Sequence, residues 1–412
     1  ELAAARRAGV PVEPWQQVVA DAAVGKTLVG VAGTHGKSTT AGWLVHVLVE
    51  AGLDPCAFVG ALLPAELTGG LASTARWGLG TAFVVEADEY AGNFDAYQPD
   101  VTVLTSAEWD HPDVFADRRA VVDCFAAWLE SAGRTVARPV VVANVGDPGV
   151  AEVVERLESA AWPGRIVRTW LEQGIVGAAP ADRPTSGAPP ASDETIIGSI
   201  MEADAAGTTL QLKGGGLAEP LIARLRLAGR HNARNALGVA GAALILGVQP
   251  GAVAAGLASF GGVGRRLERK GEGSGVVVYD DYGHHPTAIR ETLAAIRQLE
   301  PGRRIWAVYE PLTYHRTAAM IDEFAEVLAT ADAVAIADIW AGRDPDTTIT
   351  SAAALAEATA RLRPGLTVVA PGSVEATAAW LAKEVRAGDA VLVMGGGKSY
   401  RIAELLVVAL AD

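Results

Sequence analysis

The sequence predicts an α/β protein with two consecutive parallel-sheet domains, of which the second is doubly wound and Rossmann-like. Short apolar, β-branched stretches alternate with helix-forming stretches along most of the chain, and this alternation is typical of parallel sheets. A glycine loop at residues 33–37 lies between a predicted strand and a predicted helix. A second glycine-rich stretch, residues 261–264, separates the two alternating series and is the predicted junction between the domains.

The first glycine loop has the composition of a phosphate-binding site. Backbone N–H groups of such a loop approach phosphate oxygens closely, and the N-terminus of the following helix adds partial positive charge. We expect Lys37 to reach the β- and γ-phosphates of a nucleotide and the Ser38 hydroxyl to bind Mg²⁺. The motif predicts a central phosphate-loop ATPase domain, since Gly-Lys-Ser at the start of a helix is hard to explain as a turn that binds nothing. The predicted nucleotide-binding residues of the loop are Gly33, Thr34, His35, Gly36, Lys37, Ser38 and Thr39.

The composition excludes several classes of partner. The chain has 412 residues, enough for two or three domains, and a net charge of −14. This acidic balance argues against nucleic acid or an anionic membrane as the main partner. No run of about 18 apolar residues occurs in the sequence, so no membrane span is predicted. Cys56 and Cys124 are too few for a disulfide framework and favour a cytoplasmic location.

The chain divides into three predicted segments. Residues 1–25 are predicted to be the end of a preceding domain, with a helix over residues 1–8 and a short strand near residues 10–12. The central domain comprises residues 26–260 and the C-terminal domain residues 261–412. Within the central domain, residues 174–193 are predicted to be a mobile surface loop. A small antiparallel group of strands is predicted at 195–201, 208–212 and 221–227.

Acidic residues follow the strand predicted at residues 81–85, at the carboxyl end where α/β sheets bind ligands. Glu86, at the strand tip, is the best-placed carboxylate for a Mg²⁺ ion bound with a nucleotide. Asp88 and Glu89 are equally compatible with a solvent-exposed position. An acidic turn without a metal is the alternative for this stretch.

A second polar stretch follows the strand predicted at residues 101–105 and contains Glu108, Asp110 and His111. His111 is a possible nitrogen ligand for a second metal ion, with Asp110 or Glu108 orienting its ring. No lysine or arginine lies in this stretch, so we expect a bound cation to offset its negative charge. A structural histidine is the alternative.

Further polar residues lie at a helix start and at the strand ends of the C-terminal domain. Asn232 and Asn235 lie on one face of a long helix, and their amides suit the edge of adenine, although helix capping is the alternative. Four strands of the second series are each followed by polar residues, at 280–286, 309–317, 338–344 and 395–399. We expect this edge to face the nucleotide edge of the central domain.

These motifs resemble, in order, those of the Mur ligases, the ATP-dependent amide-forming family of peptidoglycan synthesis. The resemblance covers essentially the whole chain, with residues 1–25 similar to the last part of the family's N-terminal UDP-binding domain. Residues 280–287 are similar to the branch that joins L-alanine to UDP-N-acetylmuramate. The other matching stretches are residues 33–40, 86–89, 110–111, 229–237 and 265–268.

The resemblance implies ATP and Mg²⁺ as cofactors, UDP-N-acetylmuramate and L-alanine as substrates, and a monomer or weak dimer in the cytoplasm. The muramyl carboxylate would attack the γ-phosphate of ATP, and the amine of alanine would attack the resulting acyl phosphate. The implied catalytic residues are Lys37, His111 and Arg316. The implied metal ligands are Ser38, Glu86 and His111. The implied nucleotide contacts outside the loop are Asn232, Asn235, Arg266 and Asp281.

Departures from the family pattern leave two alternatives open. Leu312 stands where the alanine branch usually has a histidine near the amino acid, so the amino-acid specificity is open. Tyr90 and Trp109 are also similar to a branch that joins a preformed tripeptide to the same sugar. A nucleotide-binding regulatory relative without ligation is the second alternative. Residues 280–286 and 314–317 favour the alanine branch.

Overall fold

The computed structural model describes residues 1–175, 189, 192–342 and 344–411, which form two α/β units facing each other across a cleft. Most of the loop predicted at residues 174–193 therefore lies outside the described residues. Each unit is organised around its own sheet with helices on both faces, which confirms the predicted α/β class. None of the described helices is both long enough and apolar enough to span a bilayer.

The sheet of the first unit has ten strands in the described part of the chain, in the order β10-β9-β8-β7-β6-β5-β1-β4-β2-β3. Neighbouring strands pair in parallel, except β3 at one edge and β9 and β10 at the other. The strands are β1 (Thr27–Ala32), β2 (Cys56–Leu63), β3 (Ser73–Arg76), β4 (Ala82–Ala87), β5 (Val101–Leu104), β6 (Val140–Asn144), β7 (Arg165–Ile175), β8 (Thr195–Asp204), β9 (Gly207–Gly214) and β10 (Leu221–Leu225).

Strand β1 lies between β4 and β5, and its side chains alternate between two cores, as the period of a strand requires. Val29 and Val31 pack with α3, α6 and α7, whereas Leu28 and Ala32 pack with α4 and α5. The loop after β1 is thus held by a strand that is buried on both faces. The helices of this unit are α1 (Leu2–Arg7), α2 (Trp15–Ala22), α3 (Lys37–Glu50), α4 (Arg118–Thr135), α5 (Pro148–Ser159), α6 (Arg230–Ile245) and α7 (Pro250–Ser259), with 3₁₀ turns at Ala65–Leu67 and Tyr90–Gly92.

The predicted antiparallel group is confirmed, because β9 pairs antiparallel with both β8 and β10. The group extends the large sheet, since β8 pairs in parallel with β7. Strand β7 was not predicted, because its apolar residues are interrupted by arginine and glutamate. One local prediction was wrong: no strand forms at residues 10–12, and the chain continues into α2.

The sheet of the second unit has six strands in the described residues, in the order β11-β12-β16-β13-β14-β15, and only β11 is antiparallel to its neighbour. Helices cover both faces, which is the doubly wound arrangement predicted. The strands are β11 (Glu268–Gly273), β12 (Val276–Asp281), β13 (Arg304–Glu310), β14 (Ala333–Ala337), β15 (Thr367–Gly372) and β16 (Asp389–Gly395). The helices are α8 (Pro286–Leu299), α9 (Tyr314–Ala319), α10 (Ile321–Leu328), α11 (Ala352–Leu362), α12 (Val374–Glu384) and α13 (Tyr400–Ala411).

Helix α8 connects the two units on one side of the cleft. The Gln298 side chain donates to Thr208 Oγ1 at 3.1 Å and accepts from the Gly229 N–H at 3.0 Å. Glu291, two turns earlier on the same helix, accepts from Arg234 of α6 at 3.0 Å. These contacts place the N-terminus of α8 over the loop after β1.

Candidate active site

A cavity of about 700 Å³ lies between the carboxyl edges of the two sheets. One wall consists of the loop after β1 and the segments after β4 and β5. The other wall consists of the segment between β12 and α8, together with Leu312 after β13. The cavity therefore lies where parallel α/β sheets bind ligands, with polar side chains from both units around it.

The glycines of the loop are required by its conformation. Gly33 and Gly36 have φ of +130° and +81°, in the region that favours glycine. A Cβ on Gly33 would lie 2.2 Å from Thr105 Oγ1, and a Cβ on Gly36 would lie 2.6 Å from Asn235 Oδ1. Helix α3 begins at Lys37, so its first N–H groups face the cavity, as phosphate binding requires.

Lys37 is held by partners of its own unit. Its ammonium group donates to Gly33 O at 2.6 Å and to Glu89 at 2.9 Å, with Asp88 at 3.8 Å. Burial disfavours the charged lysine, but these carboxylates outweigh burial and raise its pKa. Glu89 is buried, so the structure excludes the solvent-exposed position that sequence analysis allowed for it. Sequence analysis missed Glu89 as the partner of the loop lysine.

Ser38 and Glu86 form a set of oxygen donors suited to Mg²⁺. Ser38 Oγ donates to Glu86 Oε1 at 2.9 Å, and the other carboxylate oxygen accepts from the Gly60 N–H at 2.6 Å. A hydroxyl beside a carboxylate at a phosphate loop is the donor chemistry that Mg²⁺ prefers. Arg266 of the second unit donates to the same Ser38 Oγ at 3.0 Å, so it lies next to this set.

Asp110 and Arg316 form an ion pair that joins the two units. Arg316 Nε and a terminal nitrogen lie 2.9 Å and 2.8 Å from Asp110 Oδ1, and each residue is only 4% exposed. Burial would raise the pKa of Asp110, but Arg316 outweighs burial and holds that pKa well below its usual range. We expected a bound cation to offset the negative charge of this stretch; Arg316 supplies that positive charge instead.

His111 is the second partner of Arg316. Its Nδ1 atom lies 3.2 Å from a guanidinium nitrogen, which can only donate, so Nδ1 accepts and the proton of the neutral ring is on Nε2. Binding of a metal ion at Nε2 would need the opposite tautomer and loss of this contact. The ring lies near Asp88 and Glu89, and one ligand atom from each of the three falls within 4.8 Å of the others. A metal ion held by this group would thus compete with the contact between His111 and Arg316, and His111 as a metal ligand stays a prediction.

Glu108 binds His35 of the phosphate loop and does not orient His111. Its carboxylate lies 2.8 Å from His35 Nε2, and its backbone N–H donates to Thr34 Oγ1 at 2.9 Å. Burial opposes ionisation, but His35 lowers the pKa of Glu108 to about 2. The ring of His285, from the second unit, packs at a tilt against His35 with ring centroids 4.6 Å apart. The loop is therefore held from both sides of the cleft.

The remaining predicted nucleotide contacts all border the cavity, together with Thr34 and Thr39. Asn232 donates to Ala228 O at 2.8 Å, and Asn235 donates to Asn232 Oδ1 at 3.3 Å. Asp281 uses both carboxylate oxygens within its own unit, on the N–H groups of Leu267 and Gly283, each at 2.7 Å. Asp281 therefore stabilises the wall of the cavity, and each of its carboxylate oxygens already accepts a hydrogen bond from the backbone.

Strained backbone occurs at the cavity. Eight non-glycine residues of the described chain have positive φ, and two of them, His111 and Leu267, border the cavity, while Arg265 and Thr313 each adjoin a residue that does. Arg265 and Leu267 flank Arg266, and the Arg265 guanidinium is bound to the buried Asp280 at 3.1 Å. This anchoring directs Arg266 towards the phosphate loop, and such strain is typical of functional sites.

Comparison with known proteins identifies the family. Residues 31–243 match the Mur ligase middle domain, and residues 265–397 match the Mur ligase, glutamate ligase domain. A UDP-N-acetylmuramate–L-alanine ligase of Mycobacterium sp. (strain JLS) is 37% identical over 100% of this chain and 79% of its own length. The chain belongs to the Mur ligase family. Mur ligases are ATP-dependent ligases. A second relative of the same name, from Kineococcus radiotolerans, is 38% identical over 100% of this chain and 80% of its own.

Solved structures of Mur ligases share this fold. A UDP-N-acetylmuramate-alanine ligase from Thermotoga maritima matches with a TM-score of 0.74 at 20% identity, over 98% of this chain and 81% of its own. A murein peptide ligase from Psychrobacter arcticus matches with a TM-score of 0.69 at 22% identity, over 100% of this chain and 83% of its own. A MurF ligase from Thermotoga maritima in complex with ADP matches with a TM-score of 0.66 at 18% identity, over 97% of this chain and 85% of its own.

Replacing Gly36 should separate backbone strain from ligand binding. Gly36→Ala and Gly52→Ala both put a side chain at positive φ, +81° and +77°, and each should cost about 1–2 kcal/mol of stability. Only Gly36→Ala adds a clash, with Asn235, because a Cβ on Gly52 has nothing within 4 Å. Calorimetry should show that the dissociation constant for ATP rises roughly tenfold or more in Gly36→Ala and not in Gly52→Ala. Equal ATP affinity in both variants would contradict this account of the loop.

Proposed function

We propose that this Mur ligase joins L-alanine to the carboxylate of UDP-N-acetylmuramate through an acyl phosphate, with hydrolysis of ATP to ADP, in the cytoplasm. The observation that carries the proposal is a cavity that the phosphate loop of one unit shares with Leu312 and His284 of the other. It is supported by relatives of that name that align with the whole chain at 37–38% identity.

Residues 26–260 would bind ATP. The loop N–H groups and Lys37 would hold the phosphates, and Asn232 and Asn235 would contact the adenine. Lys37 is already positioned by Gly33 O and Glu89, so a phosphate oxygen would add to or replace existing partners without reorienting a flexible side chain. Arg266 would move from Ser38 to the nucleotide when that hydroxyl takes up its metal ion.

Ser38 and Glu86 would hold Mg²⁺, which offsets the negative charge of the transferred phosphoryl group. The donor chemistry of this pair supports that part of the proposal. His111 as a ligand of a second ion would require the tautomer with the proton on Nδ1, and no step of the reaction is assigned to it. Arg316 would act by holding Asp110 and the adjacent wall of the cavity in position.

Residues 261–412 would bind the amino acid. Leu312 borders the cavity and packs so closely on Gly396 that a Cβ there would lie 2.8 Å from the leucine side chain. An apolar side chain at this position suits a small apolar amino acid. The tripeptide-joining activity is the alternative, and the test below distinguishes the two.

The proposal is tested with the full-length protein and a panel of amino acids and peptides. Phosphate release should require ATP, Mg²⁺, UDP-N-acetylmuramate and one amine substrate together, with L-alanine preferred. A clear preference for a tripeptide would establish the recycling activity instead. Phosphate release that does not depend on the amine would contradict ligation altogether.

Lys37→Ala should lower turnover by roughly a hundredfold or more, because the ammonium group offsets charge on the transferred phosphoryl group. Lys383→Ala is the matched control, since Lys383 is exposed on α12 and should leave turnover unchanged. Both variants should keep the wild-type circular dichroism spectrum. Steady-state kinetics provide the measurement, and near-normal turnover in Lys37→Ala would show that the catalytic phosphate site lies elsewhere.

A further inference from the structure

The amine of an amino acid is mostly an ammonium ion at neutral pH and must lose a proton before it can attack a carbonyl carbon. Lys37, Arg266 and Arg316 are cations at the cleft and do not serve as bases. The carboxylates at the cleft all accept hydrogen bonds from protein groups; they are Glu86, Asp88, Glu89, Glu108, Asp110, Asp147, Asp281 and Glu291. The remaining candidates are the imidazoles that border the cavity.

Five imidazoles border the cavity, those of His35, His111, His231, His284 and His285. His35, on the phosphate loop, donates to Glu108 through Nε2, and His231, on α6, lies with Nδ1 3.6 Å from Glu291; both belong to the unit that would bind ATP. The lone pair of His111 is in use, because Nδ1 accepts from Arg316. His285 accepts from the Thr287 N–H through Nδ1 at 3.2 Å and lies 3.1 Å from Trp109 O through Nε2, so both its nitrogens are occupied.

His284 has the opposite arrangement. Its Nδ1 atom lies 2.9 Å from the carbonyl oxygen of Tyr282, which can only accept, so Nδ1 carries the proton. Nε2 then has a lone pair, and within the described residues this atom has no hydrogen-bond partner. The residue borders the cavity. His284 is thus a pre-oriented imidazole with an available basic nitrogen.

The surroundings of His284 keep it neutral and hold its ring in place. Burial lowers its pKa well below the usual range, Arg316 and Arg266 act in the same direction, and Asp110 opposes them. Tyr282 packs edge-on against the ring, and the Tyr309 hydroxyl reaches its backbone carbonyl at 3.5 Å. Because the pKa is lowered, the basic form is present throughout the neutral range.

His284 shares its cavity with the phosphate loop, since Lys37 and Ser38 border the same space. Leu312, which also borders it, belongs like His284 to the unit that would bind the amino acid. The imidazole is therefore on the wall of the cavity that the proposed function assigns to the amino acid.

We propose that His284 is the general base that takes a proton from the ammonium group of the amino acid, an inference that rests on the proposed ligase function. Nε2 accepts the proton, and the freed lone pair forms the C–N bond to the acyl carbon. The C–O bond to phosphate breaks, and its electron pair leaves with the phosphate. The second N–H proton leaves with that phosphate, so an acyl phosphate and an ammonium give an amide, hydrogen phosphate and one proton, which His284 releases to solvent.

Hydroxylamine tests this assignment because it is uncharged at neutral pH and needs no base to attack an acyl phosphate. His284→Asn keeps an amide donor where Nδ1 donates to Tyr282 O but removes the base. With UDP-N-acetylmuramate and ATP, the variant should form hydroxamate at a rate near that of the wild type. Its alanine-dependent amide formation should fall roughly a hundredfold or more at neutral pH.

The pH profile gives a second readout. The alanine rate of His284→Asn should rise with pH in proportion to the free amine, whereas the wild-type rate should stay flat through the neutral range. His46→Gln, on α3 and bound to Ser259, is the control and should keep both rates.

Three outcomes would be distinguishable. Equal alanine rates in the wild type and His284→Asn, or loss of hydroxamate together with amide in the variant, would overturn the assignment of the base. Absence of hydroxamate with the wild type would instead overturn the proposed acyl-phosphate reaction itself.

Discussion

The buried ion pair of Asp110 and Arg316 is the constraint on which the cleft depends. A charge at 4% exposure costs several kcal/mol unless it is paired, so each of these side chains requires the other unit. If the two units separated, both charges would return to water together, so the pair contributes little net stability. What it provides is position, because it holds Arg316 of the second unit on Asp110 of the first, and in this arrangement His284 and the phosphate loop border the same cavity.

Charged side chains at the cleft are bound to other protein groups. Lys37 is bound to Glu89, Arg266 to Ser38, and His35 to Glu108. A nucleotide with its metal ion would therefore exchange partners with side chains that are already oriented. The site is therefore suited to catalysis by positioning and charge, because the side chains need little further movement in the reaction step.

Much of the fold and the phosphate side of the cleft could be predicted from the sequence, because those signals are local. Thr27–Ala32, the glycine loop and the helix after it lie within about 25 consecutive residues, and strand ends of a parallel sheet share one edge. The cross-cleft partners could not be predicted. Arg316 lies 206 residues after Asp110, so the sequence showed a stretch short of positive charge but not the arginine that supplies it. Glu89 was missed for a related reason, since its burial depends on how the turn after β4 packs.

Small-angle X-ray scattering tests the central claim, that the Asp110–Arg316 pair sets the closed register of the cleft. The wild type and Arg316→Met would be compared at saturating concentrations of a non-hydrolysable ATP analogue, with binding measured independently by calorimetry. Methionine keeps the length and apolar stem of the arginine but leaves Asp110 buried without a partner. The account predicts wild-type scattering that fits the closed arrangement described here and a larger radius of gyration for the variant. The same radius of gyration for both proteins, with the nucleotide bound in each, would contradict it.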